Sequence, residues 1–468
     1  MSSVLTPQAV DFPRWYQEVV AKAELAEPGP VRGSQVIRPV GFAIWERMTA
    51  EMDTRIKAAG AQNVSFPLLI PESYLRREAE HVEGFAPELA VVTVGGGKKL
   101  DEPVVIRPTS ETVFGEYMAK WIQSYRDLPL LLNQWCNVLR WEMRTRLFLR
   151  SAEFLWQEGH TAHATEEDAK NYARRILYGT YRDFMTEVLA IPVRVGLKTN
   201  RERFAGAIRT YTCEAMMRDG KALQMGTSHE LGQNFAKAFN MTYLSDADRL
   251  EHCWTTSWGT STRMVGGLIM CHGDDNGLRV PPKLAPIQVQ VTIVKDGPGI
   301  TETATRLHKA LSDAGIRTAL DDRTDTPFGR RAVQAELRGY PLRVEIGPRE
   351  LQNGNVMLAR RIDGRKEPVA IEKCLDEVRA ALETDQLALL DESVRRTEER
   401  TVEAATLKDA IAAAEYGCAK IPWSNVGVDG EEKANKAGVS VRCLTREDGT
   451  LPDSESESDL IAYMSRSY

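Results

Sequence analysis

The chain has 468 residues, 43% of them hydrophobic and 27% charged, which is ordinary for a protein of two or three folded domains. A formal charge of −6 excludes a general polyanion-coating role, so any nucleic-acid contact has to come from local sites. Seven scattered cysteines, Cys136 to Cys443, make neither a disulfide framework nor a complete zinc site, and the opening MSSVLTPQAVDFPRWYQEVV meets Asp11 and Arg14 before any apolar run forms; the expectation is a reducing cytosol, with no signal peptide and no membrane span.

Asp11 to Leu25 predicts an amphipathic helix opened by Asp11 and Pro13 and broken by Gly29, Pro30 and Gly33. The next helix, Phe42 to Ala59, sets Trp45, Met48, Met52 and Ile56 on one stripe, with Gly60 closing it. Asn63 to Ile70 reads as a strand whose Pro67 fits only an edge or an interface. Gly84 to Lys98 reads as a surface loop; its GGGK lacks the spacing and the hydroxyl residue of a phosphate loop. Arg107 to Thr112, RPTSET, precedes a helix Val113 to Ser124; Thr109 and Glu111 share one side of an extended segment, or Ser110 or Thr109 caps the helix.

The stretch Arg140 to Ala164, RWEMRTRLFLRSAEFLWQEGHTAHA, carries Arg140, Arg144, Arg146 and Arg150 among acids and aromatics. It predicts a hairpin: a strand to Trp141, a short polar connection, and a strand from Phe148 to Gln157. Arginine's planar fork suits phosphate, so Arg140 and Arg150 can hold two ends of a triphosphate. Thr165 and Asp168 then open a helix to about Leu189, and Arg201 to Gly206 carries no motif. In Lys221 to Phe235, KALQMGTSHELGQNF, Thr227 and His229 share an extended face while Gln224 is out of step, so the chain must bend at Gly226 to align all three. TTSWGTSTR, Thr255 to Arg263, leads into an apolar run and then His272, Asp274 and Asp275, whose spacing does not make a metal triad.

Pro281, Pro282 and Pro286 form a linker. Strands at Val289 to Val294, Thr318 to Asp321, Leu342 to Ile346 and Val356 to Arg360, with helices at Thr301 to Ala314 and Arg330 to Arg338, predict an α/β unit with a substantially parallel sheet. Asp376 to Ala414 is a charged helical stretch, and the tail beyond holds only Cys418 and Cys443.

The arginine stretch resembles motif 2 of the class II aminoacyl-tRNA synthetases, most closely the prolyl-tRNA synthetases. The helix, strand and Pro67 resemble motif 1, RPTSET the amino-acid loop, the TSH of Thr227 to His229 that family's own motif, TTSWGTSTR motif 3, and LRVEIGPREL the anticodon-binding domain, although Asp322 to Arg331 departs from the usual pattern. The resemblance implies an α+β catalytic domain on an antiparallel sheet (1–285), an α/β anticodon-binding domain (286–385) and a small α+β C-terminal domain (386–468). Related members carry a four-cysteine zinc site in that last region; Ser424, Val428, Ser454, Ser456 and Ser458 stand there instead, so no zinc site is expected.

The implied activity is ATP-dependent activation of L-proline and its transfer to tRNA(Pro), by a cytoplasmic homodimer using Mg²⁺. Arg140 would bridge the proline carboxylate and the α-phosphate. Thr109, Glu111 and His229 would hold proline. Glu142, Arg150, Ser151, Gln224, Thr227, Ser261 and Arg263 would hold ATP, with Mg²⁺ beside Gln224 and Arg263 on the adenine face. The terminal Tyr468 resembles an end that in some members tucks towards the active site. The interval Ala164 to Thr255 is too short for an inserted editing domain. The competing readings are a related synthetase for threonine or serine, a non-catalytic paralogue, and a drug-tolerant second copy.

Overall fold

The computed structural model describes residues 4–81 and 89–468. An N-terminal helix, Phe12–Lys22, is capped by Asp11, whose carboxylate accepts from the Arg14 amide at 2.9 Å. Its residues Phe12, Trp15, Tyr16, Val19 and Val20 fall three and four apart and are buried. The second helix, Pro39–Ala58, buries the expected stripe of Trp45, Met48, Met52 and Ile56, and Gly60 follows it at φ 94°.

The strand expected over Asn63 to Ile70 is two short pieces, Gln62–Asn63 (β1) and Leu69–Pro71, with Pro67 in the irregular chain between them. The reason is Arg107, 4% exposed, whose guanidinium donates to the carbonyls of Phe66 (2.7 Å) and Pro67 (3.1 Å) and so takes the acceptors a ladder would use. The expected loop Gly84 to Lys98 lies partly outside the described residues. From Ala90 onward it is a hairpin, Ala90–Gly95 with Lys98–Ile106, turning through Gly96 and Gly97 at φ 58° and 77°. GGGK is thus a tight turn whose two central residues need glycine.

The main sheet is built from β1, β2 (Leu130–Leu139), β3 (Glu153–His163), β4 (Val193–Leu197), β5 (Arg209–Met216), β6 (Ala222–Gly232) and β7 (Trp254–Ser261). The helix expected after Thr165 runs through Glu166–Arg175, a wide π-helical turn Ile176–Arg182, and Asp183–Glu187, and packs Tyr172, Ile176 and Tyr181 behind the sheet in the main core. After the prolines come β8 (Val289–Ile293), β9 (Thr318–Asp321), β10 (Leu342–Ile346), β11 (Asn355–Arg360) and β12 (Lys366–Ala370), in the order β9-β8-β10-β11-β12, the first three parallel and the last two antiparallel. Beyond the predicted strands, β12 is an addition.

The C-terminal region supplies β13 (Thr401–Glu403), β14 (Cys418–Pro422), β15 (Ser440–Arg446) and β16 (Leu460–Ser465). These strands extend the main sheet, through one Leu444–Leu197 pair, into eleven strands ordered β13-β14-β16-β15-β4-β5-β6-β7-β3-β2-β1. The long helix Cys374–Glu399 runs across the expected boundary at 385/386. The tail has its own apolar core, including Ile421, Trp423, Val441 and Met464.

Candidate active site

The hairpin of β2 and β3 pairs Leu130 with Ala162 through to Leu139 with Glu153. Its connection is therefore residues 140–152, longer than expected, and Phe148 to Ala152 is not strand. The connection folds back on itself: the Arg146 and Arg150 amides exchange bonds with each other's carbonyls at 2.6 and 2.9 Å. Phe148 sits at φ 62°, 2% exposed, its amide on Gln35 Oε1 at 2.9 Å, with Leu149 buried beside it in the main core. Two apolar side chains that read as the start of a strand instead plug the core and fix the loop. Trp141 and Met143, by contrast, face solvent.

A cavity of about 270 Å³ opens over the face of the sheet. Eight of the predicted residues line it: Thr109, Glu111, Arg140, Gln224, Thr227, His229, Ser261 and Arg263. Gln224 joins that face by a route other than a bend at Gly226. The ladder between β5 and β6 pairs Cys213 with Gly226 and Glu214 with Gln224, leaving Met225 as an extra residue in β6. A bulge of one residue inverts the side-chain parity, so Gln224 comes into line with Thr227 and His229. Glu142 and Arg150 stand apart from the lining, as an ion pair at 3.7 Å, with Arg150 close enough to Arg263 to act on its charge. Ser151 lines a different cavity, bounded by Tyr16, Ser34 and Arg146.

Arg140 reaches into the cleft, where its surface meets solvent, yet it is walled closely on its other sides. Its Nε donates to the Pro108 carbonyl at 3.0 Å, and its guanidinium carbon lies 5.4 Å from the Trp156 ring and 5.5 Å from that of Phe154. The aromatic walls and the carbonyl fix the fork. Desolvation draws the Arg140 pKa down, with Glu111 and Glu158 opposing it. Arg263 opens the helix Arg263–His272, donates from Nε to the Leu149 carbonyl at 3.1 Å, and has its pKa pulled down to about 10, first by burial and then by Arg150 and Arg140. Arg140 and Arg150 both act on the charge of Arg263, a concentration of positive field that suits an anion.

Beside Arg140 the RPTSET segment turns into a helix, Glu111–Trp121, two residues earlier than expected. Neither Thr109 nor Ser110 caps it with its side chain. The Thr109 hydroxyl donates to Glu111, and the Ser110 amide donates to Glu158 Oε2 at 3.2 Å. Glu158, 2% exposed, also accepts from Gln134 Nε2 at 3.1 Å and meets His160 Nε2 at 3.2 Å. Burial pushes its carboxyl up, and these bonds outweigh burial and hold it below the usual range. Ligand atoms of Glu111, Glu158 and His160 lie within 4.8 Å of one another, the one such group among the described residues. His272, Asp274 and Asp275 do not converge: His272 Nε2 meets the Leu189 carbonyl, Asp274 pairs with Arg361, and Asp275 accepts from the Gln8 amide.

The structure adds residues that the sequence reading passed over. Trp156, Glu158 and His160 lie two apart on β3, the period-2 signal of one strand face, and all three line the cleft. Lys198, Glu202 and Phe204 come from the segment after β4, with the Phe204 ring 4.7 Å from that of His229. No local pattern marks them.

The comparisons match this geometry. A family model described as "tRNA synthetase class II core domain (G, H, P, S and T)" covers residues 94–271, and one described as "Anticodon binding domain" covers 288–381. A proline–tRNA ligase of Frankia casuarinae is 62% identical over 468 residues, all of both chains. The chain belongs to the proline–tRNA ligase family of class II synthetases. "Proline--tRNA ligase 2" of Streptomyces avermitilis is 58% identical over 99% of each chain. The crystal structure of a prolyl-tRNA synthetase from Cryptosporidium parvum, complexed with halofuginone and AMPPNP, superposes with TM-score 0.92 at 34% identity, over 100% of this chain and 99% of that one.

Two histidines in this ligase fold carry an acid-stability signature. Burial, then the His160 charge, pulls the His229 pKa to about 3; burial likewise takes His272 to about 3. Both lie below the ordinary value near 6.5, so the unfolded chain binds more protons as pH falls from 6.5 towards 3, and stability falls in that window. At pH 5 each group costs about 2 kcal/mol relative to neutral pH. His272→Gln keeps a donor for the Leu189 carbonyl, so its loss of stability between pH 7 and pH 5, measured by urea unfolding, is expected to be smaller than the parent's by about 2 kcal/mol.

Proposed function

We propose that the chain activates L-proline with ATP and transfers it to the 3′ end of tRNA(Pro). The supporting observation is a single cleft lined by Arg263, by the Thr109–Glu111 and His229 cluster, and by Arg140, which bonds the Pro108 carbonyl and also acts on the charge of Arg263. The proline carboxylate attacks the α-phosphorus of ATP, its new P–O bond forming as the bond to pyrophosphate breaks. The nucleophile is already an anion, so alignment and charge neutralisation carry the step, with no general base. Arg140, held by Pro108 and its aromatic walls, bridges the carboxylate and the α-phosphate. Glu111 meets the prolinium cation, with Thr109 and neutral His229 beside it. Thr227 and Ser261 contact the nucleotide, Arg263 stacks on the adenine face, Glu142 accepts from the adenine amino group, and Arg150 takes the outer phosphates. Ser151, which follows Arg150 and lines a separate cavity, is a further candidate for nucleotide contact.

Magnesium binds by preference through phosphate oxygens and one or two protein oxygens, so the amide oxygen of Gln224 on the cleft wall fits a share in holding it. When bound it neutralises phosphate charge. Among the described residues no helix is long and apolar enough to cross a membrane, and cytoplasmic location is part of the same reading. Homodimerisation is too: Leu68, Leu69, Tyr117 and Trp121 are exposed apolar side chains near the motif-1 segment.

Pyrophosphate exchange against the full set of amino acids tests this function, with proline expected to be the best substrate. Exchange driven best by threonine or serine would point to a sister enzyme, and no exchange to a non-catalytic paralogue. Alanine is expected to leak through, since a pocket separates such substrates by only about 1–3 kcal/mol. The named elements between Ala164 and Thr255 are strands of the main sheet, helices, and one small hairpin of Thr242–Leu244 with Leu250–His252, too little for an inserted domain, so the purified chain is expected to leave Ala-tRNA(Pro) intact. Rapid deacylation by the chain alone would refute that.

A further inference from the structure

A second group of charges lies beside the nucleotide end of the cleft. Lys198, 4% exposed, lines the cleft, and its Nζ donates to Glu214 Oε1 at 3.0 Å. Glu214 also accepts from the Thr212 hydroxyl at 2.8 Å and from a two-pronged arginine: Arg442 Nε to Oε2 at 3.0 Å and Nη2 to Oε1 at 3.2 Å. Arg442 stands on β15, in the C-terminal strands, 228 residues away along the chain, and is itself buried. Its remaining Nη1 donates to Ser440 Oγ at 3.0 Å. Glu214 is the cross-strand partner of Gln224, and both Glu214 and Arg442 act electrostatically on Arg263.

The Lys198–Glu214 pair alone would be neutral. Among the buried groups Arg442 makes two cations to one anion, a surplus of one positive charge that burial shields from salt, while Glu202, which lines the cleft and also acts on Arg442, is exposed and screened by solvent. A lone buried carboxylate next to a triphosphate would repel it, so the surplus decides the sign of the local field. We propose that Arg442 is a positioning residue for the nucleotide half of the cleft: through Glu214 it holds Lys198 in place and leaves one uncompensated positive charge beside the phosphates. The C-terminal strands thereby take part in ATP binding without touching ATP. This inference rests on the nucleotide lying at the Arg263 and Gln224 side of the cleft.

The test is pyrophosphate exchange by the full-length protein and its variants. Arg442→Met is expected to raise the KM for ATP about tenfold while the KM for proline stays within about twofold. The double variant Glu214→Gln, Arg442→Met removes the buried anion together with its arginine, and its KM for ATP is expected to return to within about threefold of the parent's. A docking role for Arg442 alone predicts neither the split nor the rescue. An Arg442→Met enzyme with unchanged KM for ATP, or a double variant no better than the single, overturns the proposal. If Arg442→Met does not fold, Glu214→Gln decides: with the buried anion gone and Arg442 kept, its KM for ATP is expected not to rise, and a tenfold rise refutes the charge argument. Absence of proline-dependent exchange in the parent protein would instead overturn the proposed function.

Discussion

Arg140→Ala is expected to cut prolyl-adenylate formation by roughly a hundredfold or more, the effect of losing one preorganised charge donor worth about 3–4 kcal/mol in the barrier. Three features make this arginine hard to replace. The bond from its Nε to the Pro108 carbonyl sets the plane of the fork, Phe154 and Trp156 flank it, and desolvation raises the strength of whatever anion it meets. Arg140→Lys keeps the charge but loses the planar fork and its carbonyl anchor, so it is expected to recover only part of the rate. Thermal unfolding of both variants should stay near that of the parent, because Arg140 faces the cleft and belongs to none of the apolar clusters. Pyrophosphate exchange by Arg140→Ala at close to the parent rate would remove it from the chemistry.

What the sequence discloses here depends on how local the cause is. The second helix is legible because its stripe of Trp45, Met48, Met52 and Ile56 is a periodic pattern within one element. Eight cleft residues are legible for a related reason: they sit in short motifs that resemble those of a known family. The misses come from causes outside the segment. Phe148 and Leu149 look like the start of a strand, and only the core beneath them makes them a plug. Gln224 faces the cleft because β5 pairs with β6 around one extra residue, Met225, which the sequence of β6 alone does not show. Pro67 sits outside any strand because Arg107, forty positions on, occupies the backbone acceptors. Arg442 reaches Glu214 only because the C-terminal strands continue the main sheet across Leu197, a long-range pairing without local signature.

Glu111→Gln is expected to reduce kcat/KM for proline about thirtyfold or more, with the KM for ATP little changed. A secondary ammonium entering a pocket lined by Phe204, His229 and Trp258 loses most of its water, so it needs a fixed negative partner. Two buried carboxylates stand within reach, Glu111 and Glu158. Glu158 is occupied by the Ser110 amide, Gln134 and His160, which hold it ionised and in place. Glu111 has the Thr109 hydroxyl on one oxygen, and its place at the first turn of the Glu111–Trp121 helix puts its charge where the helix dipole favours it. His229, kept neutral by burial, adds no competing positive charge there. On the proposed function the two acids divide the work: Glu158 braces the loop that carries Glu111, and Glu111 is the one left to meet the substrate. Glu158→Gln would then lower stability as well as activity, whereas Glu111→Gln would leave the unfolding temperature nearly unchanged. If proline kinetics respond to Glu158→Gln and not to Glu111→Gln in folded protein, the assignment of the counter-charge is reversed.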